Sequence, residues 1–185
     1  MNILAIYGSP NKQGNTAMIT DSIIGSIGES NYSERVYLYD KRYEDCMACQ
    51  NAENIHKKQY CIFIDDFTNY ILPKINKADL LIISSPVYMG QITGKLKTLF
   101  DRWHTYITDD YSIRILPGKK FITVTTSAAP TERFQNVSDY LNSWLSDFFK
   151  MEKLASFHVG DLMESGSLMS NSQVLKEAKN LGSTF

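Results

Sequence analysis

Five short apolar runs, separated by stretches with helical periodicity, constrain the fold of this chain most strongly. They span residues 2–7, 35–39, 80–84, 120–125 and 154–159. The run from Leu80 to Ile83 contains no polar residue, which indicates a strand that is buried on both of its faces. Strands of this kind occur mainly in parallel sheets, because the connecting helices pack on either side of the sheet.

The stretches between these runs repeat apolar residues at the spacing of a helix. Isoleucines recur four residues apart from Ile19 to Ile27, and similar stripes follow the third and fourth runs. A shorter helix is predicted over 66–75, and a closing helix over 171–181 with Gly182 as its C-terminal stop. Alternating strands and helices predict an α/β fold. We expect a flavodoxin-like, three-layer α/β/α sandwich with a five-stranded parallel sheet in the order 2-1-3-4-5.

Size, charge and cysteine content limit the classes of protein to consider. The 185 residues suffice for one domain, and we expect it to span residues 1–185 with an irregular excursion at about 41–65. A net charge of −1 argues against a nucleic-acid partner, and the apolar runs are too short to cross a membrane. Three cysteines, an odd number, argue against a secreted disulfide framework, so we expect a cytoplasmic protein.

The segment from Gly8 to Thr16 joins the first strand to the first helix and is rich in glycine, amide and hydroxyl side chains. Glycine allows close approach of the backbone, and the N–H groups at a helix start attract anions. In the predicted strand order, this loop lies beside the loop after the third strand, where such folds bind ligands. We therefore predict a phosphate site, with an ordinary capped loop as the alternative.

Two common nucleotide motifs do not match this loop. A Walker A loop has four residues between its glycines and then a lysine, whereas five residues separate Gly8 from Gly14 and Asn15 follows. The dinucleotide fingerprint needs a glycine where Pro10 stands. A neutral loop of this composition suits a terminal phosphomonoester such as that of FMN.

The segment from Ser84 to Lys95, which follows the third strand, offers surfaces for a flat ring. Tyr88 and Met89 can supply apolar contacts, and the backbone N–H groups from Val87 to Gly90 can donate to the edge of a heteroaromatic ring. Such donors would also stabilise negative charge on a reduced flavin. The alternative is that Tyr88 and Met89 fold back onto the core.

The three motifs together resemble the NAD(P)H-dependent FMN reductase family, in the branch of iron–sulfur flavoproteins and multimeric quinone reductases. They are Gly8-Ser-Pro with Gly14-Asn-Thr, the segment from Ser85 to Gly90, and the segment from Gly94 to Arg102. The resemblance implies that Ser9, Asn11, Asn15 and Thr16 hold the FMN phosphate. It also implies that the flavin ring is lined by Pro86, Val87, Tyr88, Met89 and Gly90, with Ser127 in the turn after the fourth strand on the other side.

The cysteine region departs from that branch of the family, in which a compact four-cysteine cluster can hold a [4Fe–4S] centre. This chain has only Cys46, Cys49 and Cys61, and all-cysteine ligation of such a cluster needs four thiolates. We therefore expect no metal. Two alternatives are a zinc site formed by Cys46, Cys49, His56 and Cys61, and a redox disulfide between Cys46 and Cys49.

The resemblance implies a flavoenzyme in which NADH or NADPH reduces bound FMN, and the electrons pass to a small-molecule acceptor such as a quinone, a flavin, or a nitro or azo compound. FMN carries this chemistry, so no catalytic side chain is predicted. An electron carrier without NAD(P)H activity is the first alternative, and a binding or regulatory module is the second. The resemblance further implies a homodimer or homotetramer.

Overall fold

The computed structural model describes residues 1–49, 61–108, 110–164, 166–170 and 172–185. Its strands, in chain order, are β1 (Asn2–Tyr7), β2 (Tyr32–Tyr37), β3 (Leu80–Tyr88), β4 (Gln91–Ile92), β5 (Lys120–Thr126) and β6 (Glu152–Val159). Five of them form a parallel sheet in the order β2-β1-β3-β5-β6, and the two-residue β4 pairs antiparallel with the end of β3. The predicted five-stranded parallel order is confirmed, with β4 as an addition.

Helices cover both faces of this sheet. They are α1 (Asn15–Ile24), α2 (Leu72–Lys77), α3 (Gly94–Arg102), α4 (Gln135–Ser143) and α5 (Ser172–Gly182). α1 and α5 pack on one face with residues such as Ile19 and Ala178, whereas α2, α3 and α4 pack on the other with Ile75, Leu99 and Leu141. This arrangement is the predicted three-layer sandwich.

The apolar strands are buried because alternate residues supply two separate cores. In β1, Ile3 and Ala5 pack under α1 and α5, whereas Leu4 and Ile6 pack under the opposite helices. Each of these side chains is at most 2% exposed. Burial of a leucine or isoleucine contributes about 1.5–3 kcal/mol relative to exposure, so these central strands hold the layers together.

Several element boundaries differ from the sequence-based prediction. β2 spans Tyr32–Tyr37 rather than 35–39, because the backbone turns into a 3-10 helix at Leu38–Asp40. The helix predicted over 66–75 is a π-helical turn, Phe67–Ile71, followed by α2. Gly182 is the last residue of α5 rather than its stop. A Cβ at Gly182 would lie 2.1 Å from the carbonyl oxygen of Ile23, so this glycine allows α5 to approach α1 closely.

Candidate functional site

The loops that follow β1 and β3 meet at the carboxyl edge of the sheet. The Gly8 N–H donates to the Ser84 carbonyl oxygen at 2.7 Å, and Oγ1 of Thr93 donates to the Gly8 carbonyl oxygen at 2.7 Å. A Cβ at Gly8 would lie 2.8 Å from the Ser84 carbonyl oxygen, too close for any larger residue without a shift of the backbone. Glycine at this position therefore brings together the two loops that were predicted to share a site.

The loop between Gly8 and α1 is held by its own side chains. The Asn11 N–H donates to Oγ of Ser9 at 3.1 Å, and the Gln13 N–H donates to Oδ1 of Asn11 at 3.0 Å. Ser9 is buried and Asn11 is exposed. These bonds shape a compact turn that leads the chain into the first residue of α1.

The first turn of α1 begins without a side-chain cap from any described residue. Its N-cap residue is Gly14, which has extended backbone angles and no side chain that could accept a hydrogen bond. The first N–H groups of a helix have no acceptor within the helix, and they carry the positive end of its dipole. We call residues 14–17 the open start of α1, because its N–H groups suit a phosphate.

The side chains of Asn15 and Thr16 contact other parts of the protein. Nδ2 of Asn15 donates to the Glu164 carbonyl oxygen at 2.7 Å, and the Leu168 N–H donates to Oδ1 of Asn15 at 3.1 Å. The hydroxyls of Thr16 and Thr126 share a buried hydrogen bond of 2.6 Å. The open start of α1 is thereby joined to the end of β5 and to the segment that follows β6.

The predicted ring-binding segment forms the end of β3 and the tip of a hairpin. Val87 pairs with Ile92 and Tyr88 with Gln91, and between them Met89 and Gly90 have φ angles of 49° and 75°. Two residues with positive φ are typical of the tight type I′ turn. The tip projects outward: Met89 is fully exposed and Tyr88 is 48% exposed. The structure thus presents both side chains to solvent rather than to the core.

Ser127 lies in the turn after β5, at the same edge of the sheet. It is buried, its N–H donates to the Val159 carbonyl oxygen at 3.0 Å, and its hydroxyl donates to the Ala129 carbonyl oxygen at 2.9 Å. The carboxyl ends of parallel strands share one edge, so all ten predicted cofactor residues lie along it. These residues are Ser9, Asn11, Asn15, Thr16, Pro86, Val87, Tyr88, Met89, Gly90 and Ser127.

The cysteine region contains free thiols. All three cysteines of the chain, Cys46, Cys49 and Cys61, are described, and each is partly buried and outside any disulfide bond. The described residues contain no group of three or more His, Cys, Asp or Glu side chains placed to hold a metal ion. His56, the fourth member of the alternative zinc set, lies outside the described residues. An all-cysteine [4Fe–4S] cluster does not fit a chain with three cysteines.

Two structural anchors of the site were not predicted as functional residues. Thr93 caps α3 and also binds Gly8, and a threonine directly before the helix-forming run from Gly94 is the sequence signal for such a cap. Thr126 binds Thr16 across a separation of 110 residues, which no local pattern reveals. Both residues are buried and hold the loops in place through these hydrogen bonds.

Comparison with known proteins gives the family. The family model for NADPH-dependent FMN reductases matches residues 1–160, and the chain belongs to this family. An iron–sulfur flavoprotein of Methanocaldococcus jannaschii is 36% identical over 103 residues, which are 55% of this chain and 51% of the relative. An iron–sulfur flavoprotein of Archaeoglobus fulgidus is 32% identical over 128 residues, which are 69% of this chain and 59% of the relative. The chain thus spans little more than half the length of these relatives.

The fold is also found in solved structures. The NAD(P)H:quinone oxidoreductase from Methanothermobacter marburgensis superposes with a TM-score of 0.76 at 18% identity, covering 100% of this chain and 96% of that one. The predicted flavodoxin-like fold and the predicted family are confirmed. The family is named for the reduction of FMN with NADPH, which agrees with the predicted class of flavin oxidoreductase and with FMN as its cofactor. Among the described residues, no helix is both long and apolar enough to cross a bilayer.

Proposed function

We propose that this chain is one FMN-binding domain over residues 1–185 and that it holds the FMN phosphate at the open start of α1. The observation that carries the proposal is the lack of a side-chain cap on α1 among the described residues, which leaves the N–H groups of Asn15, Thr16 and Ala17 for an anion. Ser9 and Asn11 shape the loop beside them. Asn15 and Thr16 contribute through their backbone, because their side chains have partners within the protein.

The shape of the edge supports a flat ring next to the phosphate. The hairpin tip formed by Tyr88, Met89 and Gly90 would contact one part of the flavin, and the turn at Ser127 would lie on the other side. Pro86 and Val87, at the end of β3, would form the floor between them. The Gly8 contact with Ser84 keeps the phosphate loop and the ring segment together, so the protein residues fit FMN.

In this proposal the chain is an FMN-dependent NAD(P)H oxidoreductase that acts on a quinone, a flavin, or a nitro or azo compound. Bound FMN would supply the redox chemistry, as the hydride acceptor for NADH or NADPH and the electron donor for the second substrate. The protein residues bind and orient the reactants, and none of them is assigned a catalytic role. The exposed Tyr88 and Met89 would offer an apolar surface to a planar acceptor.

An electron carrier without NAD(P)H activity is the second candidate. The names of the iron–sulfur flavoproteins among the relatives leave it open, since iron–sulfur centres transfer single electrons, although this chain lacks the four cysteines of an all-cysteine cluster. A net charge of −1 counts against it, because electron carriers commonly use strongly charged surfaces to attract their partners.

Reduction by nicotinamides separates these candidates. The protein is loaded with FMN and mixed without oxygen with NADH or NADPH in a stopped-flow spectrophotometer. We expect the absorbance of bound flavin to bleach and to return when a quinone is added. A flavin that stays oxidised with both nucleotides, yet bleaches with dithionite, identifies a carrier. A protein that takes up no FMN contradicts both candidates.

We further propose that the chain forms a homodimer or homotetramer in the cytoplasm. Trp144 and Phe148, which follow α4, are 40% and 38% exposed, and aromatic surfaces of this kind are common at protein interfaces. Three free thiols suit a reducing compartment. Light scattering after gel filtration measures the mass in solution, and a mass of one chain contradicts the oligomer.

A further inference from the structure

The side chain of Asn15 forms a clamp between distant parts of the chain. Its Nδ2 donates to the Glu164 carbonyl oxygen at 2.7 Å, and its Oδ1 accepts the Leu168 N–H at 3.1 Å. The two partners are 149 and 153 residues away in sequence. Both polar atoms of the amide are therefore used to hold backbone of the segment that follows β6.

The same segment also holds the turn after β5. The Asp161 N–H donates to the Ala129 carbonyl oxygen at 2.9 Å, and the Leu162 N–H donates to the Ser127 carbonyl oxygen at 3.1 Å. A Cβ at Gly160 would lie 2.3 Å from the Thr131 nitrogen, so glycine allows the two backbones to touch. The segment thus contacts the turn that was predicted to lie beside the flavin ring.

Burial anchors the far end of this segment. Leu168 is fully buried in the core beneath α1, together with Ala17. Glu164 and Ser167 bond to each other and form the turn that presents the Glu164 carbonyl to Asn15. The family model ends at residue 160, so the contact lies beyond the matched region.

We infer that Asn15 is a positioning residue, which fixes the open start of α1 against residues 161–164 and 166–168 and thereby joins the phosphate loop to the turn at Ser127. This inference rests on the proposed FMN site and refines it. Asn15 acts through its side chain on the protein, and only its backbone N–H faces the phosphate. Loss of the clamp loosens both loops at once.

A positioning role for Asn15 predicts different changes in flavin affinity than a role as a phosphate ligand. Removal of a side chain that contacts the phosphate weakens the binding of FMN but leaves riboflavin, which has no phosphate, unchanged. Removal of the clamp weakens riboflavin binding as well as FMN binding, because the turn at Ser127 changes together with the phosphate loop. Two hydrogen bonds of ordinary net strength correspond to a loss of about tenfold in affinity.

The test combines flavin titration with hydrogen–deuterium exchange on the Asn15→Ala variant. We expect FMN affinity to fall about tenfold, riboflavin affinity to fall as well, and exchange at residues 161–170 to be faster in the flavin-free protein. Asn15→Asp keeps an acceptor for the Leu168 N–H but cannot donate to Glu164, so it gives a smaller increase in exchange. Ser22→Ala, which removes a hydrogen bond within α1 to the Met18 carbonyl, is the control with unchanged exchange at 161–170.

Two results would overturn the inference. One is weaker binding of FMN with unchanged riboflavin affinity, which would make Asn15 a phosphate ligand. The other is unchanged exchange at 161–170 in Asn15→Ala. The exchange is measured without flavin, so it tests the clamp even if the wild-type chain binds no FMN and the proposed function fails.

Discussion

α1 and α3 follow neighbouring strands at the carboxyl edge of the sheet, but their first turns differ. The start of α3 is closed by Thr93, whose Oγ1 accepts the Leu96 N–H at 3.3 Å and donates to the Gly8 carbonyl oxygen at 2.7 Å. The start of α1 has Gly14 in the same position, and no side chain in the described part of the chain caps it. The start of α3 is capped by a side chain of the protein, whereas the start of α1 is not capped by any described side chain.

The difference bears on stability as well as on the proposed phosphate site. A serine or threonine cap is worth about 1 kcal/mol, whereas glycine at the cap loses only a few tenths relative to the best residues. The open start of α1 therefore costs little stability. The closed start of α3 in turn holds the carbonyl of Gly8, which keeps the loop before α1 in place.

The largest loss of stability is expected when α3 loses the ion pair at its C-terminal end, opposite the capped start at Thr93. Arg102 is 1% exposed, and its guanidinium donates to both carboxylate oxygens of Asp65 at 2.8 and 3.2 Å. Asp65→Asn keeps an acceptor for the N–H groups of Phe67 and Thr68 but leaves Arg102 without its counter-ion. We expect a loss of about 3 kcal/mol in the free energy of unfolding, measured by urea denaturation at pH 7.

The matched control is Asp101→Asn, in the exposed pair with Lys97, where we expect a loss below about 0.5 kcal/mol in the free energy of unfolding.

The pH dependence of stability gives a second check on the ion pair of Asp65 and Arg102. Burial raises the pKa of Asp65, but hydrogen bonds from Arg102 and from backbone N–H groups outweigh it and hold the pKa below the usual value for aspartate. The stabilisation is thus complete above the pKa of the unfolded chain and disappears as the pH falls through the folded-state pKa. Equal losses for both variants would contradict the buried role of Arg102.

A smaller effect is expected when α3 loses its cap. Thr93→Val keeps the shape of a fully buried side chain but removes the acceptor for Leu96 and the donor to Gly8. We expect the free energy of unfolding to fall by about 2 kcal/mol, because two polar groups are left without partners. Thermal unfolding followed by circular dichroism measures this loss. Thr93→Ser, which retains the hydroxyl, should lose less than Thr93→Val, and wild-type stability for Thr93→Val would refute the structural role.

The smallest effect on stability is expected when α1 is given a cap of its own. Gly14→Asp places a carboxylate where the phosphate is proposed to bind, so we expect FMN affinity to fall about tenfold or more through competition and charge repulsion. The free energy of unfolding should change by less than about 0.5 kcal/mol. Fluorescence titration with FMN measures the affinity.

Gly14→Ser is the control, since it introduces a neutral cap and the same crowding against Asn11. It should weaken FMN binding less than Gly14→Asp does. If Gly14→Asp binds FMN as tightly as the wild type, the phosphate does not lie at the open start of α1.

The sequence was sufficient to predict the elements that local patterns define. The buried runs in β1 and β3 and the helical stripe of α1 correctly indicated a doubly wound sheet, because strands buried on both faces leave few other architectures. β2 was placed three residues too late. It is an edge strand, and its only fully buried residue is Val36, so the apolar pattern is weak there.

Contacts between residues distant in sequence could not be predicted. The partners of Asn15 and Thr16 lie more than 100 residues away, and nothing in the local sequence indicates that their side chains are already bonded. The ring segment was expected as a loop, and the structure shows a strand end and a tight turn. Met89 has a positive φ angle, and the first central position of a type I′ turn is usually Asn, Asp or Gly, so the local residues contained no signal of the hairpin.

The most direct test of the central claim compares FMN with riboflavin on the wild-type chain. The two flavins differ only in the phosphate, so the ratio of their dissociation constants reports what the open start of α1 contributes. Quenching of flavin fluorescence during titration measures both constants under the same conditions. Two charge-assisted hydrogen bonds to the phosphate predict that FMN binds at least about 100-fold more tightly. Equal dissociation constants for the two flavins would contradict a phosphate site at the start of α1.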